Sequence, residues 1–176
     1  MMDMMLLIEP LIPALRRYAR AMMRDRAAAD DLVQDCLERT ISRWHLRRTD
    51  GDARTWVFTI LHNLAVNQLR QKKRRGWHMR IDDVEEATLA RPPAQEDSMH
   101  LRDMLQSLDT LAEDQRSVLL LVSVEDLSYA ETARVLGIPV GTVMSRLSRA
   151  REKLLQSMDG EKAGTTPKSP NLRRIK

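Results

Sequence analysis

Apolar positions return at helical spacing along most of this chain. From about Glu9 to Arg24, Leu11, Ala14, Leu15, Tyr18 and Met22 recur every three or four residues, while Arg16, Arg17, Arg20 and Arg24 fill the opposite face. That pattern predicts an amphipathic helix. A second is expected from Ala27 to Trp44, with Leu32, Val33, Cys36, Leu37 and Ile41 inward. Asp30 and Asp31 are expected in its first turn, where the helix dipole favours acids. Thr49-Asp50-Gly51-Asp52 is a turn cluster. A third helix is predicted from about Ala53 to Arg75, striped by Val57, Ile60, Leu61, Leu64 and Leu69. Periodicity then fails over residues 76–97, where Gly76, the run Asp82-Asp83-Val84-Glu85-Glu86 and Pro92-Pro93 mark a linker. It resumes near Ser98 and ends in a long helix near Ser157. Gly160, Gly164, Pro167 and Pro170 mark residues 159–176 as an expected disordered basic tail.

The most informative stretch runs from Leu127 to Val143. Ser128 followed three residues later by Glu131 is a capping box that starts a short helix. Ala130, Ala133, Val135 and Leu136 supply its apolar face. Gly137 permits a positive-φ turn, and Pro139 pre-sets the first turn of the next helix. That helix carries Val143 and Leu147 inward and offers Thr142, Ser145, Arg146, Arg149 and Arg151 outward. A short helix, a tight turn containing glycine and a basic second helix match a DNA-reading helix-turn-helix. The competing reading is a helical hairpin with solvated arginines.

Composition narrows the class. Aromatic residues are only 3% of the chain, so the cores rest on aliphatic side chains and methionine, and β-branched runs are scarce. An all-α fold follows. Cys36 is the single cysteine, which excludes an internal disulfide, and its neighbours read as core. No apolar run is long enough to span a bilayer. Met1-Met2-Asp3-Met4-Met5-Leu6-Leu7 lacks the basic flank of a secretory signal, and its methionines leave the start codon open. A cytoplasmic location is expected. His45, His62, His78 and His100 show no metal-ligand spacing, and no HExxH, CxxC or phosphate-loop motif occurs, so no metal, cofactor, small-molecule substrate or catalytic role is expected. The net charge of +4 is unevenly spread: +7 over residues 1–81, −5 over 82–100, −1 over 101–158 and +3 over 159–176. A polyanion is the natural partner of the basic block.

Leu111 to Leu155 resembles region 4 of the extracytoplasmic-function sigma factors. The resemblance lies in Asp114-Gln115-Arg116, Glu125-Asp126-Leu127-Ser128-Tyr129, Gly141-Thr142-Val143 and Ser145-Arg146-Leu147-Ser148-Arg149-Ala150-Arg151. The N-terminal block independently resembles region 2, through Asp30-Asp31-Leu32-Val33-Gln34-Asp35, Arg54-Thr55-Trp56-Val57-Phe58 and Ile60-Leu61-His62-Asn63-Leu64-Ala65-Val66-Asn67. Residues 1–81 are expected to form region 2, 82–100 an acidic linker and 101–158 region 4. The whole spelling is closest to the general-stress branch of the family.

The resemblance implies a factor that carries core RNA polymerase to a class of promoters. Asp31, Gln34, Asp35 and Glu38 recur at i, i+3, i+4 and i+7, an acidic-amide face expected to dock on the polymerase clamp, with region 4 near the flap. The plainer reading of that face is a solvated helix surface with pairs such as Asp35–Arg39. Thr59, His62, Asn63, Asn67 and Arg70 lie opposite the apolar stripe of the third helix. Such a face can hydrogen-bond bases that have left the stack at the −10 element. The cluster Arg70-Gln71-Lys72-Lys73-Arg74-Arg75, extended by Arg80, reads as a phosphate track or a plain solvated face, with Lys73 and Arg74 counted with Arg54 among the −10 residues, and Trp56 and Phe58 offer planes for unpaired bases. Core packing of Trp56 is the competing reading. The turn from His45 to Asp52 is expected to help hold a flipped base. Thr142, Met144, Ser145, Arg146 and Arg149 are the candidates for the −35 element. Met144 departs from the Lys or Arg usual there, so it suits a thymine methyl better than a phosphate or guanine. The resemblance also implies an anti-sigma partner. Two rival readings remain at this point. One is a stand-alone helix-turn-helix regulator on duplex operator DNA; the other is a helical interaction protein with no DNA affinity.

Overall fold

The computed structural model describes residues 2–47, 52–78 and 106–163, and among these the regular structure is entirely helical. The N-terminal unit comprises α1 (Met2–Ile8), a 3-10 turn (Glu9–Leu11), α2 (Ile12–Met23), α3 (Arg26–Ser42), a second 3-10 turn (Trp44–Leu46) and α4 (Ala53–His78). The C-terminal unit comprises a short helical stretch at 106–109, α5 (Glu113–Leu119), a π-helical turn (Leu120–Val124), α6 (Tyr129–Leu136) and α7 (Val140–Ala163). The acidic linker expected at 82–100 lies outside the described residues, as do residues 164–176 of the tail.

Local chemistry sets the ends of these helices. Asp25 caps α3, its carboxylate accepting from the N–H groups of Ala27 and Ala28. Asp30 and Asp31 therefore fall in the second turn, one turn later than their acidity predicts. Asp52 caps α4 by accepting from the N–H groups of Arg54 and Thr55 and from the Thr55 hydroxyl. Arg24 closes α2 at φ 62°, a left-handed conformation that glycine adopts with less strain.

In the N-terminal unit α2, α3 and α4 pack on one another. Leu15, Tyr18, Met22, Leu32, Val33, Cys36, Val57, Phe58 and Leu61 are buried in their shared core. Tyr18 and Phe58 meet edge-to-face with centroids 5.8 Å apart, a geometry that contributes about 1 kcal/mol beyond area burial. Several expectations are corrected. Phe58 is fully buried and offers no plane to a base. Ile41 is half exposed, close to the end of α3, where the chain gives way to a 3-10 turn. Helix α4 continues through Gly76 to His78, and α7 continues through Gly160 to Ala163, beyond the expected ends. An isolated glycine costs a helix only about 1 kcal/mol, which a long helix tolerates. Residues 2–8 form α1, which buries Met4 and Ile8.

In the C-terminal unit α5 and α6 pack against α7, burying Val118, Leu121, Val135, Val143, Leu147 and Ala150. The capping box is present: Ser128 Oγ accepts from Glu131 N–H at 3.2 Å and Glu131 Oε2 accepts from Ser128 N–H at 2.7 Å. Gly137 ends α6 at φ 64°. Ala130 is exposed, so the apolar face of α6 rests on Ala133, Val135 and the half-buried Leu136.

The two units lie against each other. Helix α6 packs on α4, and α5 with its π turn packs on α2. Arg116, on α5, is buried and donates to the carbonyls of Leu108 and Leu111, and at 3.5 Å to Met22 of α2.

Candidate polymerase and promoter interfaces

Asp31, Gln34, Asp35 and Glu38 are all exposed on α3, and Gln34 Nε2 donates to Glu38 Oε1 at 3.1 Å. The helix spacing places them together, as the sequence predicts. Leu32, Val33 and Cys36 fix that orientation by burying the other face. Cys36 is sealed beneath it: burial pushes its thiol up to about 12, so it is neutral at physiological pH.

The candidate −10 residues are strung along α4. Asn63, Asn67, Arg70, Lys73 and Arg74 are exposed; Arg54, Trp56, Thr59 and His62 are half-buried. Trp56 meets Trp44 edge-to-face at 6.0 Å, and Arg47 lies 4.6 Å from the Trp44 ring centroid. Thr59 turns its hydroxyl inward to the Thr55 carbonyl at 2.8 Å. Tyr18 OH lies 3.0 Å from His62 Nδ1. Burial, with a smaller effect of Arg70, drives the imidazole down to about 4, so it is neutral, and in the tautomer protonated on Nε2 its Nδ1 accepts a hydrogen bond from the Tyr18 hydroxyl. A cleft of about 410 Å³ opens beside this helix, lined by Leu46, Arg47, Asp52, Thr55, Trp56 and Thr59, with Arg134 of α6 at its edge. The expected base-holding turn at His45–Asp52 supplies part of that wall; residues 48–51 lie outside the described residues.

The candidate −35 residues lie in the first turns of α7. Met144, Ser145 and Arg149 are exposed, Met144 at 53%, and Thr142 is half-buried with its carbonyl accepting from Ser145 Oγ. Arg146 is half-buried and its Nε lies 3.3 Å from Asp114 of α5. The N–H groups of Thr142 and Val143 bond to the Pro139 carbonyl, which sets the entry of the helix. No His/Cys/Asp/Glu group that could hold a metal occurs among the described residues.

Sequence reasoning missed the pairs that join the two units. Arg17 Nε and Nη2 donate to the two Glu125 carboxylate oxygens at 2.9 and 2.7 Å. Arg54 Nη2 donates to the Glu125 carbonyl and lies 4.0 Å from its carboxylate. Arg24 reaches Asp109, and Lys73 reaches Glu113 at 3.2 Å. A partner many residues away leaves no local spacing, so no signal in the sequence points to them.

Two family comparisons divide the chain where this geometry does. Residues 8–62 match the sigma2 domain of PhyR, and residues 101–154 match region 4 of the sigma-70 family. The ECF RNA polymerase sigma factor EcfG of Rhodopseudomonas palustris (strain TIE-1) is 34% identical over 146 residues, which cover 81% of this chain and 78% of that protein. The chain belongs to the extracytoplasmic-function sigma factors. ECF RNA polymerase sigma factor SigC of Mycobacterium tuberculosis is 35% identical over 137 residues, covering 77% of this chain and 72% of its own. In three dimensions, the sigma factor RpoE of Bartonella quintana, solved with the anti-sigma factor NepR, superposes with a TM-score of 0.79 at 31% identity. The match covers 90% of this chain and 98% of that one. As a sigma factor, the protein directs core RNA polymerase to promoters and takes part in transcription initiation. A stand-alone operator-binding regulator is not favoured by these relatives. Among the described residues, no helix is long and apolar enough to cross a membrane.

Proposed function

We propose that this sigma factor divides its work among three helices. The exposed Asp31, Gln34, Asp35 and Glu38 face of α3 docks on the polymerase clamp, where an acidic surface complements a basic one. The first turns of α7 enter the −35 major groove, with Ser145, Arg149 and Met144 reaching base edges and Thr142 and Arg146 positioned beside them. The Asn63, Asn67 and Arg70 side of α4, with Arg54, Trp56, Thr59, His62, Lys73 and Arg74, holds unpaired −10 bases and their phosphates. Region 4 spans residues 101–158, region 2 spans 1–81, and the acidic 82–100 segment tethers them. The nucleotidyl transfer is the polymerase's, and the sigma factor contributes binding alone, in the cytoplasm.

The observation that carries this reading is the recognition helix. The capping box, the left-handed Gly137 and the Pro139 entry hold α7 so that its first turns present Met144, Ser145 and Arg149 to solvent. A small anti-sigma protein of the kind bound to the Bartonella factor is the expected antagonist, consistent with a general-stress role. Run-off transcription with core polymerase and genomic fragments tests the proposal. Core alone is expected to give no discrete start sites, and core with this protein a defined set that is lost in Arg149→Ala. Failure of the inhibitor-free protein to support any start refutes it.

A further inference from the structure

We propose that Val140 and Met144 form an apolar pair on α7 that recognises the C5 methyl groups of two nearby thymines in the −35 element. The inference rests on the placement of α7 in the −35 major groove and adds the base that its first turns select. Its starting point is the distribution of side chains around the helix. Val143, Leu147 and Ala150 are buried and fix the inward side. At roughly 100° per residue, the outward arc carries Val140, Gly141, Met144, Ser145, Ser148 and Arg149, all of them exposed.

The chemistry of that arc limits what it can read. In the major groove guanine takes an Arg or Lys fork, adenine an Asn or Gln amide, and cytosine a carboxylate. Ahead of Arg149 the arc has none of these. Arg146, the cation within these turns, is half-buried on the flank, its Nε 3.3 Å from the Asp114 carboxylate. Ser145 already donates its hydroxyl proton to the Thr142 carbonyl at 3.1 Å. The group left for Val140 and Met144 is the apolar one on the groove floor, the thymine methyl.

Val140 is 43% and Met144 53% exposed, so each has apolar area to remove from water on contact. Side chains four residues apart on a helix stand about 5–6 Å from each other at Cβ. Base pairs rise about 3.4 Å per step, so the pair meets bases one or two steps apart. Gly141 stands beside them on the same arc. Glycine weakens a helix relative to alanine, yet Gly141 is not left-handed, and an added Cβ would meet nothing within 4 Å. No contact among the described residues calls for glycine there. A bare backbone instead lets the helix come close to the groove floor, and methyl contacts act only at short range.

Deoxyuridine in place of thymine deletes the methyl group and nothing else, so it isolates this contact. The full chain is assembled with core polymerase, and its affinity is measured for a promoter fragment mapped by run-off transcription. Each −35 thymine, on either strand, is replaced in turn by deoxyuridine. The wild type is expected to lose about fourfold in affinity at two positions no more than two base pairs apart, the effect of one methyl each. Val140→Ala is expected to erase the difference between thymine and deoxyuridine at one of them, and Met144→Ala at the other. Both side chains are exposed, so both variants are expected to keep the wild-type circular dichroism spectrum. A wild type indifferent to every deoxyuridine overturns the proposal, as does a mapped −35 element without two such thymines. So does a thymine preference that survives in both variants, even if they bind more weakly, because the residues then act only through the fold. Arg149→Ala tells this failure from that of the underlying reading. If it leaves promoter affinity unchanged, α7 does not read the −35 element and both fall. If it weakens binding while deoxyuridine has no effect, the thymine readout falls alone.

Discussion

His62 makes the stability of this fold depend on pH in a window where few other groups titrate. Its folded-state value of about 4 lies below the ordinary 6.5, because burial disfavours the imidazolium. The unfolded chain therefore binds the proton first, and stability falls as pH drops from about 6.5 toward 4. It is fully present above about pH 6.5. The two values give a loss of about 2 kcal/mol at about pH 5 relative to neutrality. The charged groups facing the imidazole come from each packed element. Arg70 lies on its own helix and opposes protonation, while Glu113 and Asp114 of α5 and Arg146 of α7 line the pocket beside it. Tyr18 of α2 contributes a neutral hydroxyl. Urea denaturation of the wild type and His62→Asn at about pH 7.5 and pH 5 isolates the effect. Asparagine keeps an acceptor near the tyrosine and cannot titrate. The wild type is expected to lose about 2 kcal/mol more than the variant over that interval. Asp52 and Glu131, whose hydrogen bonds hold them below the ordinary carboxylate range, lose their contributions only at more acid pH. Parallel losses in the two proteins would refute the assignment of a buried neutral imidazole.

Ser128→Ala removes the hydroxyl that accepts from Glu131 N–H, and about 1 kcal/mol of region 4 stability is expected to go with it in chemical denaturation. Gly137→Ala is expected to cost about 1–2 kcal/mol by the same measurement; nothing lies within 4 Å of the added methyl, so the whole cost is the left-handed backbone. Asp31→Lys with Asp35→Lys reverses the exposed face of α3, and is expected to abolish co-elution with core polymerase while leaving the circular dichroism spectrum unchanged. Ser145→Ala and Met144→Lys are expected to shift the −35 preference in a base-substitution series, while Lys73→Ala weakens promoter binding uniformly and lowers its salt dependence.

Much of region 4 was legible because its signals are local. A capping box, a glycine that must turn left-handed and a proline at a helix entry each act within a few residues, and the structure has all three at Ser128, Gly137 and Pro139. The acidic face of α3 was legible for the same reason: a regular helix converts i, i+3, i+4 and i+7 into one surface. Helix ends were less so. Asp25 was a better cap than Asp30 or Asp31 because only a residue in extended conformation can aim its carboxylate at the N–H groups two and three residues ahead. Phe58 shows another limit. On α4 it stands between Val57 and Thr59, and spacing alone does not reveal that Tyr18 of α2 meets it and draws it into the core. His62 belongs to this class too, since its burial depends on α2 and on the opposing unit.

The contacts least visible in the sequence are those that join the two units. Arg17 and Glu125 are separated by 108 residues, so neither leaves a local motif. In the linear sequence Arg17 is one more charge on a basic helix face, and Glu125 one acid before a capping box. The packing of the two units gives each a partner, just beyond the π turn at Leu120–Val124 and beside the left-handed Asp126. Met144, Ser145 and Arg149 of α7 stay exposed while the two units are in contact, and Asn63, Asn67, Arg70, Lys73 and Arg74 of α4 stay exposed with them, so the cross-unit pairs join the units without covering either row of side chains.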